Sequence, residues 1–240
     1  MKVLRAVFAV CSLPLAVACS GHSSSHSPVT ETGAEAVLPS ECSPAIGVDS
    51  PLLLDDFEDG DLTISQASNL HGAWYVNNDE TGQQAPMPGA ETKGLVVSRG
   101  SPESSANALH TSGSGFERWG AFAAAHLNAS RSHACTYDLS SYAGLHLSFK
   151  GEGGLRVNLG TTSTTPVVDG GSCSGDTCSD YGKSLELGPD WQSVDIAFAE
   201  LEQPAWASPA ELNLAESLRI SLWAERADFD FWVDDLRFYQ

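Results

Sequence analysis

Five stretches of this chain alternate apolar and polar residues with a period of two, and that pattern limits the fold to β-structure before anything else is considered. Leu145-His146-Leu147-Ser148-Phe149-Lys150 shows it most clearly, and Leu155-Arg156-Val157-Asn158-Leu159 repeats it after a short glycine-rich turn. Leu218 to Trp223, Phe229 to Val233 and Trp191 to Phe198 are three more. Side chains at i and i+2 leave a strand on the same side, so each stretch buries one face and shows the other. The first two stretches read as adjacent half-buried strands joined by a hairpin. Segments around Leu53-Leu54, Gly94 to Val97 and Ala121 to Leu127 would add strands, the alanine-rich run having the least strand character. The one expected helix is a short piece within Pro209 to Ser217, after a proline suited to a first turn. No βαβ rhythm occurs, so the fold class expected is all-β, an antiparallel β-sandwich or jelly roll.

The N-terminus bears on location. Lys2 and Arg5 precede the apolar run Ala6 to Leu15, which suits a signal peptide and is too short for a permanent membrane helix. The run ends in Ala16-Val17-Ala18-Cys19, which satisfies a small-x-small cleavage rule and resembles a lipobox, although Ala16 stands where leucine is usual. The division expected is a signal peptide over 1–18, a lipidated Cys19 with a flexible Ser-, His- and Pro-rich linker over 19–51, and one sandwich domain over 52–240. A plain secretory peptide is the alternative to lipidation. An acyl anchor of more than one chain holds a protein stably at a membrane. Ser20 after the cysteine, rather than aspartate, favours the outer membrane.

A formal net charge of −19 repels phosphate backbones, which excludes nucleic acid as a partner and favours divalent cations. Beyond Cys19 there are Cys42, Cys135, Cys173 and Cys178, an even number suited to disulfides in an oxidising compartment. Cys173 and Cys178 enclose four turn-forming residues and are expected to pair, which leaves Cys42 for Cys135. A zinc site competes with this reading, but there is no CxxC pair, and no histidine lies near Cys173 and Cys178 in sequence.

The opening Leu54-Asp55-Asp56-Phe57-Glu58-Asp59-Gly60 and the closing Phe231-Trp232-Val233-Asp234-Asp235-Leu236-Arg237-Phe238-Tyr239 resemble the first and last strands of galactose-binding-like β-sandwiches. Between them Ala108-Leu109-His110, Gly113-Ser114-Gly115-Phe116, Trp119-Gly120 and Tyr137 to Leu145 follow in the order found in carbohydrate-binding modules akin to families 4, 11 and 22. The resemblance covers about Leu53 to Gln240. It implies neighbouring terminal strands with a structural Ca2+ near their ends, held by Asp56, Glu58 and Asp235. Clustered carboxylates need a cation or solvent to relieve their repulsion, so a pair of solvated acidic turns is the alternative. The resemblance also implies a carbohydrate ligand on a concave sheet. His146, Ser148, Lys150, Arg156 and Asn158 would share that surface, with Trp119, Trp206, Trp74 and Tyr75 near it. The residues assigned to the sugar are Trp119, Lys150, Arg156, Asn158 and Trp206. Trp119 fits a core position as well as a cleft.

The sequence has no G-x-S-x-G elbow, no H-E-x-x-H, no phosphate loop and no dinucleotide fingerprint, so no catalytic residue is assigned. The reading is a non-catalytic, lipid-anchored, monomeric surface protein that binds glycan through a calcium-stabilised sandwich. A structural or adhesion lipoprotein that binds a protein partner is the alternative, followed by a polysaccharide hydrolase or lyase.

Overall fold

Among the described residues sixteen strands alternate with turns and four short 3-10 segments, and the period-two stretches of the sequence fall on strands. The computed structural model describes residues 42–43, 45–89, 94–98, 106–130, 133–225 and 227–240. The signal peptide, Cys19 and the linker up to residue 41 lie outside the described residues.

In chain order the strands are β1 (Ala45–Ile46), β2 (Leu52–Asp55), β3 (Trp74–Asn78), β4 (Gln83–Ala85), β5 (Val96–Ser98), β6 (Asn107–Ser114), β7 (Ala121–His126) and β8 (Asn128–Ala129). There follow β9 (Ala134–Cys135), β10 (Tyr137–Asp138), β11 (Gly144–Glu152), β12 (Gly154–Thr161), β13 (Tyr181–Glu186), β14 (Gln192–Ala197), β15 (Ser217–Ala224) and β16 (Phe229–Tyr239). The first sheet runs β3-β7-β15-β12-β13, with β10 and β1 continuing beside the start of β15. The second runs β14-β11-β16, after which β6 lines the first half of β16 and β2 the second half. Strands β4 and β5 complete it on the far side of β6, and β8 and β9 form a separate pair. Among the described strands every pairing is antiparallel except that of β1 with β10. The chain is an antiparallel β-sandwich.

Alternation explains how the two sheets close on one core. Strand β15 turns Leu218, Ile220, Leu222 and Ala224 inward; β16 turns Phe229, Phe231, Val233, Leu236 and Phe238 inward. Burying a side chain of this size contributes about 1.5–3 kcal/mol relative to leaving it exposed. The alanine-rich segment is a strand after all. Ala121, Ala123 and Ala125 of β7 face the core beside the bulky Trp74 and Val76 of β3, so small residues fit where the neighbouring strand already fills the space.

Three expectations need correction. Strands β11 and β12 are consecutive but not adjacent: β11 pairs with β14 and β16, and β12 pairs with β13 and β15. Gly151 and Gly153, with φ of 139° and 94°, carry the chain from one sheet to the other. His146, Ser148 and Lys150 therefore face outward on the second sheet, while Arg156 and Asn158 face outward on the first. The region expected to be helical holds only a 3-10 turn, Leu214–Glu216, whose Ala215 N–H donates to the Asn213 side chain at 3.2 Å. The sandwich also begins before Leu52, because Ala45–Ile46 pairs with Tyr137–Asp138 and Cys42 is bonded to Cys135.

Both disulfides are those expected, Cys42–Cys135 and Cys173–Cys178. They close segments with sequence separations of 93 and 5. Loop-closure entropy then predicts unequal contributions, about 4–5 kcal/mol for the first and about 2 kcal/mol for the second. Thermal or urea unfolding of the Cys42→Ala/Cys135→Ala and Cys173→Ala/Cys178→Ala variants should show the larger loss for the first pair. Equal losses would remove the entropic account.

Candidate functional site

The register of the first sheet lines up two rows of outward side chains. One runs Asn77, Phe122, Trp223, Arg156, Ser184 across β3, β7, β15, β12 and β13; the next runs Tyr75, Ala124, Ser221, Asn158, Gly182. Trp119, on the turn before β7, stands over the first row and is 42% exposed. Its ring centroid lies 5.8 Å from Phe122 and 5.7 Å from Trp223, and its carbonyl accepts a 2.7 Å bond from Trp223 Nε1. The Trp119 and Trp223 rings meet at 72°, so the aromatic cluster is angular and not a flat strip.

The polar half of the face adjoins these rings. Arg156 lies along the sheet, donating from Nη1 to Ser184 Oγ at 3.3 Å and from Nη2 to the Glu202 carbonyl. Burial lowers its pKa, against the pull of Glu225 and Glu202. Ser184 in turn donates to Glu225 Oε1 at 2.5 Å. Asn158 is buried, its Nδ2 3.4 Å from Ser221 Oγ, and its Oδ1 has no hydrogen-bond partner. Gly182 makes room for it, since a Cβ there would lie 1.9 Å from that oxygen.

Beyond these rows one end of the face is closed. Arg219, 3% exposed, donates from Nε and Nη2 to Asp180 at 3.2 and 3.1 Å and from Nη1 to Asp169 at 2.9 Å, with its guanidinium 5.8 Å from the Phe122 ring. Burial opposes its charge, but Asp180, Tyr75 and Asp169 outweigh burial and raise its pKa. Asp180 also accepts from Thr164 and Thr165. The segment that carries Asp169 and the Cys173–Cys178 bridge is thus fastened over the end of the sheet.

Of the sugar-binding residues expected from sequence, Trp119, Arg156 and Asn158 come together on this face. Trp206 is 62% exposed on the loop after Glu202, which pairs with Gly182 and so borders the β13 edge of the same sheet. Lys150 is on the opposite side of the molecule, paired with Trp232 in the second sheet. Trp74 is core, its Nε1 donating to Asp55 at 2.8 Å. Sequence reasoning did not assign Phe122, Trp223 or Ser184 to the face. Period two put Trp223 on an outward position, but only the β12–β15 register sets it against Arg156.

The acidic terminal motifs are neighbours, Asp55 pairing with Leu236 and Leu53 with Arg237. Glu58 Oε1 accepts the Ala106 and Asn107 amides at 2.9 and 3.0 Å, Asp56 Oδ1 accepts the Glu58 amide at 3.3 Å, and Asp235 Oδ2 lies 3.2 Å from Arg237 Nη2. Asp55 and Asp234, rather than Asp235, are the buried acids at this junction. Among the described residues no three His, Cys, Asp or Glu side chains converge as metal ligands, so the three expected ligands form no ready cage.

The sequence matches no protein-family model and no curated protein. Among solved structures, the family 11 carbohydrate-binding module of a cellulosomal cellulase of Clostridium thermocellum is 17% identical, with a TM-score of 0.49 over 80% of this chain and 96% of that one. The chain is similar in fold to carbohydrate-binding modules. A family 30 module of a second cellulosomal cellulase of the same organism is 14% identical, with a TM-score of 0.45 over 82% of this chain and 96% of that one. The CBM22-1–GH10 modules of a xylanase of that organism, solved with xylohexaose, are 11% identical, with a TM-score of 0.41 over 80% of this chain and 29% of that one.

One carboxylate outside the rows holds the aromatic cluster in place. Asp79, 6% exposed, accepts the amides on either side of Trp119, Arg118 at 3.1 Å and Gly120 at 2.7 Å, and the Thr81 amide and hydroxyl. Burial would raise its pKa, but these bonds outweigh burial and hold it below the ordinary 3.8. Asp79→Ala should cost about 1–3 kcal/mol by stranding buried amides. Because the folded pKa is depressed, the contribution is complete above the ordinary value and lost as pH falls through the lower folded one. Melting temperature followed from neutral pH into acid should fall less steeply for Asp79→Asn than for the unsubstituted chain. Parallel acid limbs would refute the assignment.

Proposed function

We propose that the protein is a non-catalytic carbohydrate-binding protein whose ligand lies across the outer face of the first sheet. The observation that carries this reading is the row Trp223–Arg156–Ser184 with Trp119 above it: aromatic rings partly open to solvent beside a guanidinium, a hydroxyl and the Glu225 carboxylate. A pyranose has an apolar C–H face and a rim of hydroxyls, and a site for it needs those two kinds of contact side by side. Trp206 at the β13 border would extend the surface for a longer glycan.

A structural Ca2+ at the junction of β2 and β16 belongs to the proposal. The adjacency of the two strands supports it; the bonds that Glu58 and Asp235 already make weigh against it, since an ion would have to compete with them. A glycan array run on the full chain with and without calcium tests both parts. Binding should be lost or weakened at least about tenfold by Trp223→Ala or Arg156→Ala, and chelation should lower the melting temperature. Unchanged affinity in both variants would sink the face, and an unchanged melting temperature would sink the ion.

The cell-envelope location, with an acyl chain on Cys19 and the outer membrane as its site, is likewise proposed, on the strength of Ala16-Val17-Ala18-Cys19 after the apolar run. Expressed in a Gram-negative host, the chain should incorporate labelled palmitate and sediment with outer membranes, and Cys19→Ala should do neither. Palmitate-free protein in the soluble fraction would leave only the secretory alternative.

A further inference from the structure

The outer face of the second sheet carries a groove of about 300 Å³ lined by Lys150, Gly151, Glu152, Pro189, Asp230 and Trp232. It lies on the side of the sandwich away from Trp223 and Arg156. Register arranges four of these residues as a square, because Lys150 pairs with Trp232, and Glu152 with Asp230, across β11 and β16. Residues two apart on a strand share a face, so all four side chains stand on the same surface.

The groups in this square leave much of their bonding capacity unused. Two carboxylates directly opposite one another on neighbouring strands repel, and Lys150 does not neutralise them. Its ammonium instead lies over two indoles, 5.1 Å from the Trp232 ring and 5.3 Å from Trp191. Glu152 makes no hydrogen bond or ion pair among the described residues. Asp230, which lines the groove, uses Oδ1 for His110 Nε2 at 2.9 Å. Trp191, behind the ammonium, has a buried Nε1 with no hydrogen-bond partner. The lysine cation thus lies over aromatic rings rather than between the two acids, and the Glu152 carboxylate stays open.

One ammonium donor, two carboxylate acceptors, an indole and a proline ring around one groove are the chemical complement of a hydroxylated ring. Carboxylates accept from adjacent hydroxyls, the ammonium donates to a ring or hydroxyl oxygen, and the indole meets the C–H face. Two negative charges against one positive disfavour uronic acids and phosphorylated sugars. The volume sits at the lower bound of about 300–1,000 Å³ for small-molecule sites, which suits a single unit and not a chain. We propose that this groove is a second carbohydrate site, taking one neutral pyranose unit on the face opposite the first. The proposal stands on its own geometry and does not depend on the first face binding sugar.

The test is a titration of the full, 15N-labelled chain with methyl glycosides of glucose, galactose, mannose and xylose, read on the indole N–H signals of its six tryptophans, each assigned by a Trp→Phe substitution. The Trp191 and Trp232 signals should move with at least one neutral glycoside, and should move equally in Arg156→Ala. Lys150→Met and Glu152→Gln, which keep side-chain size, should each weaken that response by about tenfold. Movement confined to Trp119 and Trp223 would overturn the second site while supporting the first. Silence of Trp191 and Trp232 with every neutral glycoside, or a response only to glucosamine and simple alkylamines, would overturn it too, the latter by showing a cation site of the two acids.

Discussion

The step of the chain between sheets at Gly151–Gly153 underlies most of what this protein displays. A Cβ at Gly151 would lie 2.0 Å from the Asp230 carbonyl oxygen, and one at Gly153 would lie 2.9 Å from that of Asp228, so only glycine lets β11 end against β16 while β12 departs for the other sheet. Two strands that look like one hairpin in sequence thereby face opposite sides of the molecule. Lys150 and Glu152 of β11 border the groove with Trp232, and Arg156 of β12 meets Trp223. Had the pair remained in one sheet, all five polar positions would have made a single surface.

Each outer face is then organised by a different means. On the first sheet, buried charge does the positioning: Asp79 holds the turn that presents Trp119, and Arg219 fastens the disulfide-bearing segment through Asp169 and Asp180. Removing one partner from such a buried set leaves the other charge uncompensated, so these groups hold the face in a single arrangement. On the second sheet the order comes from ring contacts. His110 stacks on Trp232 at 4.1 Å and 15°, and the lysine ammonium lies over the same indole. Contacts of that kind are weaker and more easily exchanged.

Much of the fold was legible in the chain. Alternation marked β11, β12, β14, β15 and β16, cysteine counting paired the disulfides, and the terminal motifs of the resemblance anticipated that β2 and β16 adjoin. The site was legible only in part. Trp119, Arg156 and Asn158 were identified on chemistry that suits a sugar, and they do share a face. Lys150 was joined to them on the assumption that consecutive alternating strands pair, and that assumption failed at a two-glycine turn. Alternation along Leu218 to Trp223 sets Trp223 on the outward side of its strand, but nothing in its neighbours along the chain marks it as the residue beside Arg156.

The amino-acid sequence by itself determined that the chain forms strands, which side of each strand is apolar, and that the surface is acidic. Those properties are local, set by residue spacing and composition. Tertiary structure alone decided which strands lie side by side, and with them which rings, cations and carboxylates meet. Period two fixes a side chain's direction relative to its own strand and says nothing about the strand next to it; that neighbour is selected by packing of the shared core between the sheets.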